Sequence, residues 1–129
     1  MKQVVKSDEE WKKELTPEAY QVCRLHGTEA PFSGKYNSFK EDGKFNCVCC
    51  GTKLFDSEYK YDSRSGWPSF FSCEKDAILE KKDSTHGMIR VEVLCSTCNA
   101  HLGHVFEDGP APTHLRYCIN SVCLEFEAR

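Results

Sequence analysis

The sequence lacks three features that would place it in a common class of binding protein. It has no excess of positive charge, because 17 basic residues stand against 20 acidic ones and the formal net charge is −3. It has no apolar run close to the roughly 20 residues of a membrane span, and Met1 to Leu15 lacks the apolar stretch of a signal peptide. These absences argue against nucleic-acid binding and against a membrane partner. They predict a soluble, cytoplasmic protein.

Cysteine, by contrast, is abundant, with nine residues in a chain of 129. The length suits a single domain, and 40% apolar with 29% charged residues is a globular balance. An odd number of cysteines without a secretion signal fits a disulfide framework poorly. Metal binding or thiol chemistry is therefore the leading explanation for the cysteines.

Two short helices are predicted near the start of the chain. Ser7 and Glu10 have the spacing of a capping box before a helix that ends near Leu15. Thr16 and Pro17 then suit the cap and first position of a second helix, which is predicted to run to about residue 26.

Short strands are predicted after a wrapping loop over residues 30–43, where turn formers dominate. Ile89, Val91 and Val93 alternate with polar residues, which is typical of a half-buried strand. Residues 115–126 predict one or two more strands. Helices first and antiparallel strands after them indicate a mainly β domain of the α+β class.

Two Cys-x-x-Cys turns predict a metal site formed by Cys47, Cys50, Cys95 and Cys98. Four thiolates complete the tetrahedral shell of a structural zinc ion, at about 2.3 Å per bond. Such a shell has no open position for water, so we expect the zinc to hold the fold and to perform no chemistry. Cys49 lies inside the first turn and is interpreted as a bystander. The alternative is a Cys3His site in which His101 or His104 replaces one sulfur.

A candidate reactive thiol lies near the end of the chain. In a strand, Arg116, Cys118 and Asn120 share one face, and a nearby cation favours the thiolate, which is the nucleophilic form. The alternative is that Cys118 is a small buried apolar residue, as most free cysteines are.

Two histidines and a tryptophan could serve the same site. His101 and His104 would face opposite sides of a regular strand, but a bulge at Gly103 could bring both imidazoles to one side, where they could donate protons. Trp67 lies on a loop fixed by Pro68 and could offer its indole face to a small apolar group. The alternative is an ordinary core tryptophan.

These segments together resemble the methionine-R-sulfoxide reductases of the B type. The resemblance covers nearly the whole chain from Leu15, and the combination of AHLGHVF with RYCIN is highly specific. The matching stretches are LTPEAYQVCRLHGTEAPFSGKY (15–36), CGTKLF (50–55), GWPSFF (66–71), AHLGHVFEDGP (100–110) and LRYCINSVCLEF (115–126).

The resemblance implies a fold, a reaction and a set of site residues. The fold would have two antiparallel sheets after short helices, with residues 1–14 as an N-terminal extension and 15–126 as the domain core. The enzyme would reduce methionine-R-sulfoxide in proteins through a sulfenic acid, which a disulfide and then thioredoxin would recycle. Carried onto this sequence, the catalytic residues are Cys118, His101, His104 and Asn120, and the substrate-binding residues are Trp67 and Arg116.

The recycling cysteine departs from the family pattern. Many members have a resolving cysteine two residues before the tryptophan, where this chain has Ser65. Cys23, at the end of the second predicted helix, is our prediction for the resolver, with Cys73 or an external thiol as alternatives. Cys123, where many members have serine, is five residues from Cys118, an odd offset that points it to the opposite face of one continuous strand.

Two other classes of function compete with the reductase, which we expect to be a monomer. One is a catalytically silent zinc module that recognises a peptide or a nucleotide-exchange partner. The other is a redox sensor or zinc store, which would not require Trp67 or the histidine pair. The intact RYCIN and AHLGHVF stretches favour the enzyme.

Overall fold

The computed structural model describes residues 4–84 and 87–128. Two helices come first, α1 (Asp8–Glu14) and α2 (Pro17–Cys23). The predicted capping box is present at α1, and the Thr16 side chain accepts a hydrogen bond from the Ala19 backbone at α2. The predicted end of α2 near residue 26 is wrong, because the helix stops at Cys23 and His26 takes a positive φ of 59°.

Within the described ranges, nine strands follow the helices and form two antiparallel sheets, as expected for the fold class. One sheet has the order β2-β1-β9 and the other has the order β3-β4-β8-β7-β6-β5. The strands are β1 (Gly43–Cys47), β2 (Lys53–Asp56), β3 (Lys60–Tyr61), β4 (Ser69–Phe70), β5 (Ile78–Asp83), β6 (Arg90–Cys95), β7 (His101–Phe106), β8 (Arg116–Ile119) and β9 (Leu124–Ala128). A short 3-10 turn, Ser121–Cys123, separates β8 from β9.

The strand predicted around residues 89–93 exists, but both of its faces are buried at its centre instead of one. Val93 is fully buried, as predicted, but the polar Glu92 is also only 7% exposed, and Ile89 precedes β6 and is 78% exposed. A buried carboxylate requires hydrogen-bonding partners, and Glu92 has two imidazoles as partners.

Aromatic rings join the two sheets. Phe55 of β2 stacks on Phe70 of β4 with ring centroids 4.2 Å apart, and Phe45 of β1 meets the same Phe70 ring at 5.3 Å. Each of these rings is fully buried, and burying such a side chain contributes about 2–3 kcal/mol. Trp11 of α1 is buried in the same core, so the first helix packs against the domain.

The wrapping loop predicted over residues 30–43 is confirmed up to residue 42, where the chain forms turns and bends but neither helix nor strand before β1 begins at Gly43. It is anchored on the 3-10 turn, because the Val122 backbone N–H donates to Glu29 and the Tyr36 backbone N–H donates to Ser121. Neither helix in the described part of the chain has the length and apolar character needed to cross a membrane.

Candidate active site

A cavity of about 310 Å³ opens beside the middle strands of the six-stranded sheet. Its lining comes from the loop after α2, the segment before β4, and strands β6, β7 and β8. The lining residues are Thr28, Ser65, Trp67, Arg90, Gly103, His104, Phe106, Arg116, Cys118 and Asn120. A larger groove of about 1020 Å³ lies along α2, but its lining contains neither cysteine nor histidine. The smaller cavity is therefore the candidate active site.

Cys118 lines this cavity, on a strand with partners on both sides. It is opposite His104 of β7 and Ser69 of β4. Gly103 is required here, because a Cβ atom at that position would collide with the Cys118 carbonyl oxygen. Strands β4 and β7 thus flank the thiol, and the backbone of β7 comes close to that of β8 at Gly103.

Burial has the largest effect on the pKa of the Cys118 thiol and raises it above the ordinary value. The positive charge of Arg116 and a hydrogen bond with Ser65 lower the pKa, but by less than burial raises it. Arg116 therefore acts in the direction that its spacing predicts, without making the thiolate the resting form. The free cysteine is mainly a thiol at neutral pH.

Arg116 is itself fixed by an acidic partner. Its guanidinium donates to both carboxylate oxygens of Asp108, at 2.8 and 3.1 Å, and lies over the Phe106 ring at 4.4 Å. This hydrogen-bonded pairing lowers the pKa of Asp108. A two-point contact of this kind holds the plane of the guanidinium in one orientation beside the cavity.

A bulge in β7 brings the two histidines to the same side. Leu94 pairs with His101 and Val93 pairs with Gly103, so Leu102 is the extra residue, one position before the predicted one. The rings of His101 and His104 are consequently 5.7 Å apart.

Each of these histidines is bound to a carboxylate. His104 lines the cavity, with Nε2 2.8 Å from Asp83, whereas the buried His101 has Nδ1 2.6 Å from Glu92. Burial lowers the pKa of His101, and Glu92 offsets part of that effect. The same Glu92 oxygen is 2.8 Å from Nδ1 of His26, whose side chain is exposed.

Trp67 and Asn120 are connected through the loop that follows α2. The Trp67 indole N–H donates to the Glu29 carbonyl at 3.1 Å, and the half-buried ring lines the cavity. The Asn120 side chain donates to the Leu102 carbonyl and accepts from the Glu29 backbone N–H, both at 3.0 Å. Asn120 thus braces β7 and the loop on either side of the thiol.

Several residues at the site were missed by reasoning from the sequence. They are Thr28, Glu29, Ser65, Asp83, Arg90, Glu92, Phe106 and Asp108. Glu29 and Asp108 lie inside stretches that match the family, which is the one signal that could have singled them out. The carboxylates of Asp83 and Glu92 become visible only when β5 and β6 are paired with β7.

The four predicted metal ligands lie together, with their sulfur atoms within 4.8 Å of one another. Two of the separations are 3.7 Å (Cys47 to Cys98) and 3.6 Å (Cys50 to Cys95). A tetrahedron with bonds of about 2.3 Å has edges of about 3.8 Å, so the four thiols fit a metal ion. His101 is bound to Glu92 instead, which does not favour the Cys3His alternative.

The two Cys-x-x-Cys turns have matching backbone geometry. The first turn closes with a hydrogen bond from Gly51 to Cys47 and the second with one from Asn99 to Cys95, each at 2.8 Å. Gly51 and Asn99 both have positive φ, the conformation that glycine and asparagine tolerate best. The cluster therefore joins the end of β1 to the end of β6, and so joins the two sheets.

Cys23 is not among the residues that line the cavity. It is 1% exposed, and its sulfur lies 3.2 Å from the sulfur of Cys123. Cys73 interacts with the Tyr117 hydroxyl at 3.7 Å on another part of the sheet. The structure therefore does not bring the predicted resolver to Cys118, and that role remains a prediction.

Comparison with known proteins identifies the family. Residues 15–128 match the SelR domain. The chain belongs to the SelR family, the methionine-R-sulfoxide reductases of the B type. It is 59% identical to the peptide methionine sulfoxide reductase MsrB of Pseudomonas putida strain GB-1, with 100% of this chain and 99% of the relative covered.

Two other relatives are similarly close to this chain over its full length. The MsrB of Pseudomonas putida strain W619 is 60% identical, with 100% of this chain and 98% of the relative covered. The MsrB of Pseudomonas fluorescens strain Pf-5 is 59% identical, with both chains fully covered. The SelR family reduces methionine-R-sulfoxide.

Proposed function

We propose that this chain reduces methionine-R-sulfoxide in oxidised proteins with Cys118 as the nucleophile. The observation that carries the proposal is the convergence of a thiol, an imidazole and an indole on one cavity, from Cys118, His104 and Trp67. A catalytically silent binding module would not need a thiol in the cavity lining, directly across the strand pair from an imidazole that is held by a carboxylate. We therefore prefer the hypothesis of an enzyme to that of a silent binding module.

The chemistry assigns a separate task to each group. A sulfoxide sulfur is electrophilic, but its oxygen leaves only when it is protonated. We propose that His104, which lines the cavity and is held by Asp83, donates that proton. The Cys118 sulfur takes up the oxygen as the sulfur–oxygen bond of the substrate breaks. The products are a sulfenic acid on Cys118 and a methionine side chain in the substrate protein.

Binding and orientation fall to the other lining residues. Trp67 offers an apolar face for the methyl group of the substrate, and its position is fixed by the Glu29 carbonyl. Arg116 favours the thiolate as it forms, because its positive charge lies close enough to Cys118 to lower the thiol pKa. Asn120 keeps β8, β7 and the covering loop in register around the thiol.

We propose zinc for the four-cysteine cluster. A zinc ion there would tie the two sheets together with all four positions taken by sulfur, and it would supply no chemistry to the reaction. Recycling is proposed to run through a disulfide that contains the predicted resolver, Cys23, and that thioredoxin reduces.

The proposed activity is tested with separated epimers of a peptide methionine sulfoxide. We expect methionine to form from the R epimer with at least about 100-fold preference in kcat/KM, because methyl group and oxygen must occupy different sides of the cavity. Product is measured by chromatography with dithiothreitol as reductant. Equal rates with both epimers would contradict the proposal.

A second experiment concerns the pKa of His101. Burial lowers this pKa, and Glu92 offsets part of that effect. Replacing Glu92 with glutamine removes the charge that favours protonated His101, so the pKa of His101 falls further. If His101 relays protons to His104, the alkaline limb of the pH profile of kcat moves to lower pH, and kcat above pH 7 falls by about tenfold or more.

The matched control is Glu80→Gln, which removes a carboxylate from an exposed position of β5 in the same sheet. Its pH profile should equal that of the parent protein. A Glu92→Gln variant with the parent profile would show that His101 takes no part in proton supply.

A further inference from the structure

Two cysteines that the family resemblance does not pair meet in the interior. Cys23 ends α2 and Cys123 ends the 3-10 turn after β8, a separation of 100 residues along the chain. Their sulfur atoms are 3.2 Å apart, and neither side chain is more than 1% exposed. A disulfide bond is about 2.0 Å long, so a shift of about 1 Å would close one.

The thiol pair has a strand of the active site on one side and a partly exposed thiol on the other. The Cys123 thiol donates to the carbonyl oxygen of His101 at 3.3 Å, on the strand that carries both site histidines. Cys49 lies near enough to Cys23 to lower the pKa of the Cys23 thiol, against the larger raising effect of Cys123, and Cys49 is only partly buried. The pair thus lies between the catalytic sheet and a thiol that solvent reaches.

We propose that Cys23 and Cys123 form a second redox centre, a dithiol that reduces oxidised Cys118 and becomes a disulfide. The proposal rests on the function proposed above, since it requires a sulfenic acid on Cys118. In the balanced step, the sulfenic acid and two thiols give the Cys118 thiol, the Cys23–Cys123 disulfide and one water. Two electrons pass from the pair to Cys118, and the sulfenic oxygen leaves as water.

The step proceeds through two disulfides in succession. The Cys123 sulfur first displaces the sulfenic oxygen and forms a bond with Cys118, and the Cys23 sulfur then attacks Cys123 and releases Cys118 as a thiol. The disulfide that remains is the substrate for an external dithiol such as thioredoxin.

The short chain between Cys118 and Cys123 makes Cys123 the first partner. Cys123 follows Cys118 by five residues, and hydrogen bonds to neighbouring segments hold the intervening turn. They run from the Cys123 backbone N–H to Asn120 at 3.0 Å, from the Val122 backbone N–H to Glu29 at 3.1 Å, from the Tyr36 backbone N–H to Ser121 at 3.2 Å, from the Val48 backbone N–H to the Cys123 carbonyl at 2.9 Å, and from the Cys123 thiol to His101 at 3.3 Å. Opening these bonds frees the turn to move toward the cavity. The position beside Cys118 is occupied by the hydroxyl of Ser65, which cannot serve as a resolving thiol.

The number of methionines formed without external reductant tests the pair. If the dithiol regenerates Cys118 once, each reduced chain forms about two equivalents of methionine before it stops. The variants Cys23→Ser and Cys123→Ser are expected to form about one equivalent, because Cys118 then cannot be regenerated as a thiol. The matched control Cys73→Ser, a thiol outside this centre, should form about two.

Peptide mapping under non-reducing conditions identifies the disulfide that accumulates. After the reaction we expect the Cys23–Cys123 bridge in the parent protein and in Cys73→Ser. A second arm uses Cys118→Ser with oxidised glutathione, which should form the same bridge without any sulfoxide chemistry. Alanine at positions 23 and 123 repeats each test where serine lowers the yield of folded protein.

The outcomes separate this proposal from the proposed function. A bridge from Cys23 to Cys49 or Cys73, or about one equivalent of methionine from the parent, overturns the dithiol while leaving the reductase intact. No methionine from any variant, together with a Cys23–Cys123 bridge formed by oxidised glutathione, overturns the reductase and with it the role of the pair in recycling.

Discussion

Replacement of Cys118 by serine is expected to reduce the formation of methionine by at least about 10⁴-fold, because a serine hydroxyl is far less nucleophilic than a thiol. Serine is close to cysteine in size and fits the same position between β4 and β7. The variant should therefore keep its fold and its metal content. Single-turnover assays with a methionine-R-sulfoxide peptide measure the loss, and circular dichroism measures the fold.

The matched control is Cys73→Ser, which removes a thiol from the same sheet but outside the cavity. It should keep kcat and KM close to the parent values. If the Cys118→Ser variant retained more than about a tenth of the parent rate, the nucleophile would have to be another residue, and the assignment of the cavity would be wrong.

Local signals in the sequence were sufficient for part of this fold. The cap at Ser7, the turn at Gly51 and the two Cys-x-x-Cys turns each depend on residues that are neighbours in the chain. Such features are decided by backbone geometry and short-range hydrogen bonds. The end of α2 was misplaced because His26 adopts a positive φ, which its residue type does not require.

The site was predictable in its central residues and not in their partners. Cys118 and His104 lie inside specific motifs, whereas Asp83 and Glu92 depend on the register of β5 and β6 against β7. The acidity of the thiol was also hidden, because Arg116 is visible two residues away but burial is a property of the folded chain. For the same reason the sequence could not pair Cys23 with another thiol.

Loss of one cysteine from the metal cluster is expected to have the largest effect on stability. Cys47 ends β1 in one sheet, and its sulfur lies 3.7 Å from that of Cys98, in the turn that follows β6 of the other sheet. Binding of zinc to four thiolates contributes roughly 10–16 kcal/mol in small zinc domains, and that energy is available only to the folded chain. Cys47→Ser should therefore lower the unfolding temperature by more than about 10 °C.

The measurements are metal analysis of the purified protein and thermal unfolding with and without a chelator. We expect about one equivalent of zinc per chain in the parent protein and much less in Cys47→Ser. The matched control is Cys49→Ser, which alters the same turn but leaves all four clustered thiols in place. It should keep the zinc, and with it most of the stability. Stable, folded parent protein with less than about a tenth of an equivalent of metal would show that the four thiols hold the two sheets together without an ion, against the expectation for such a site.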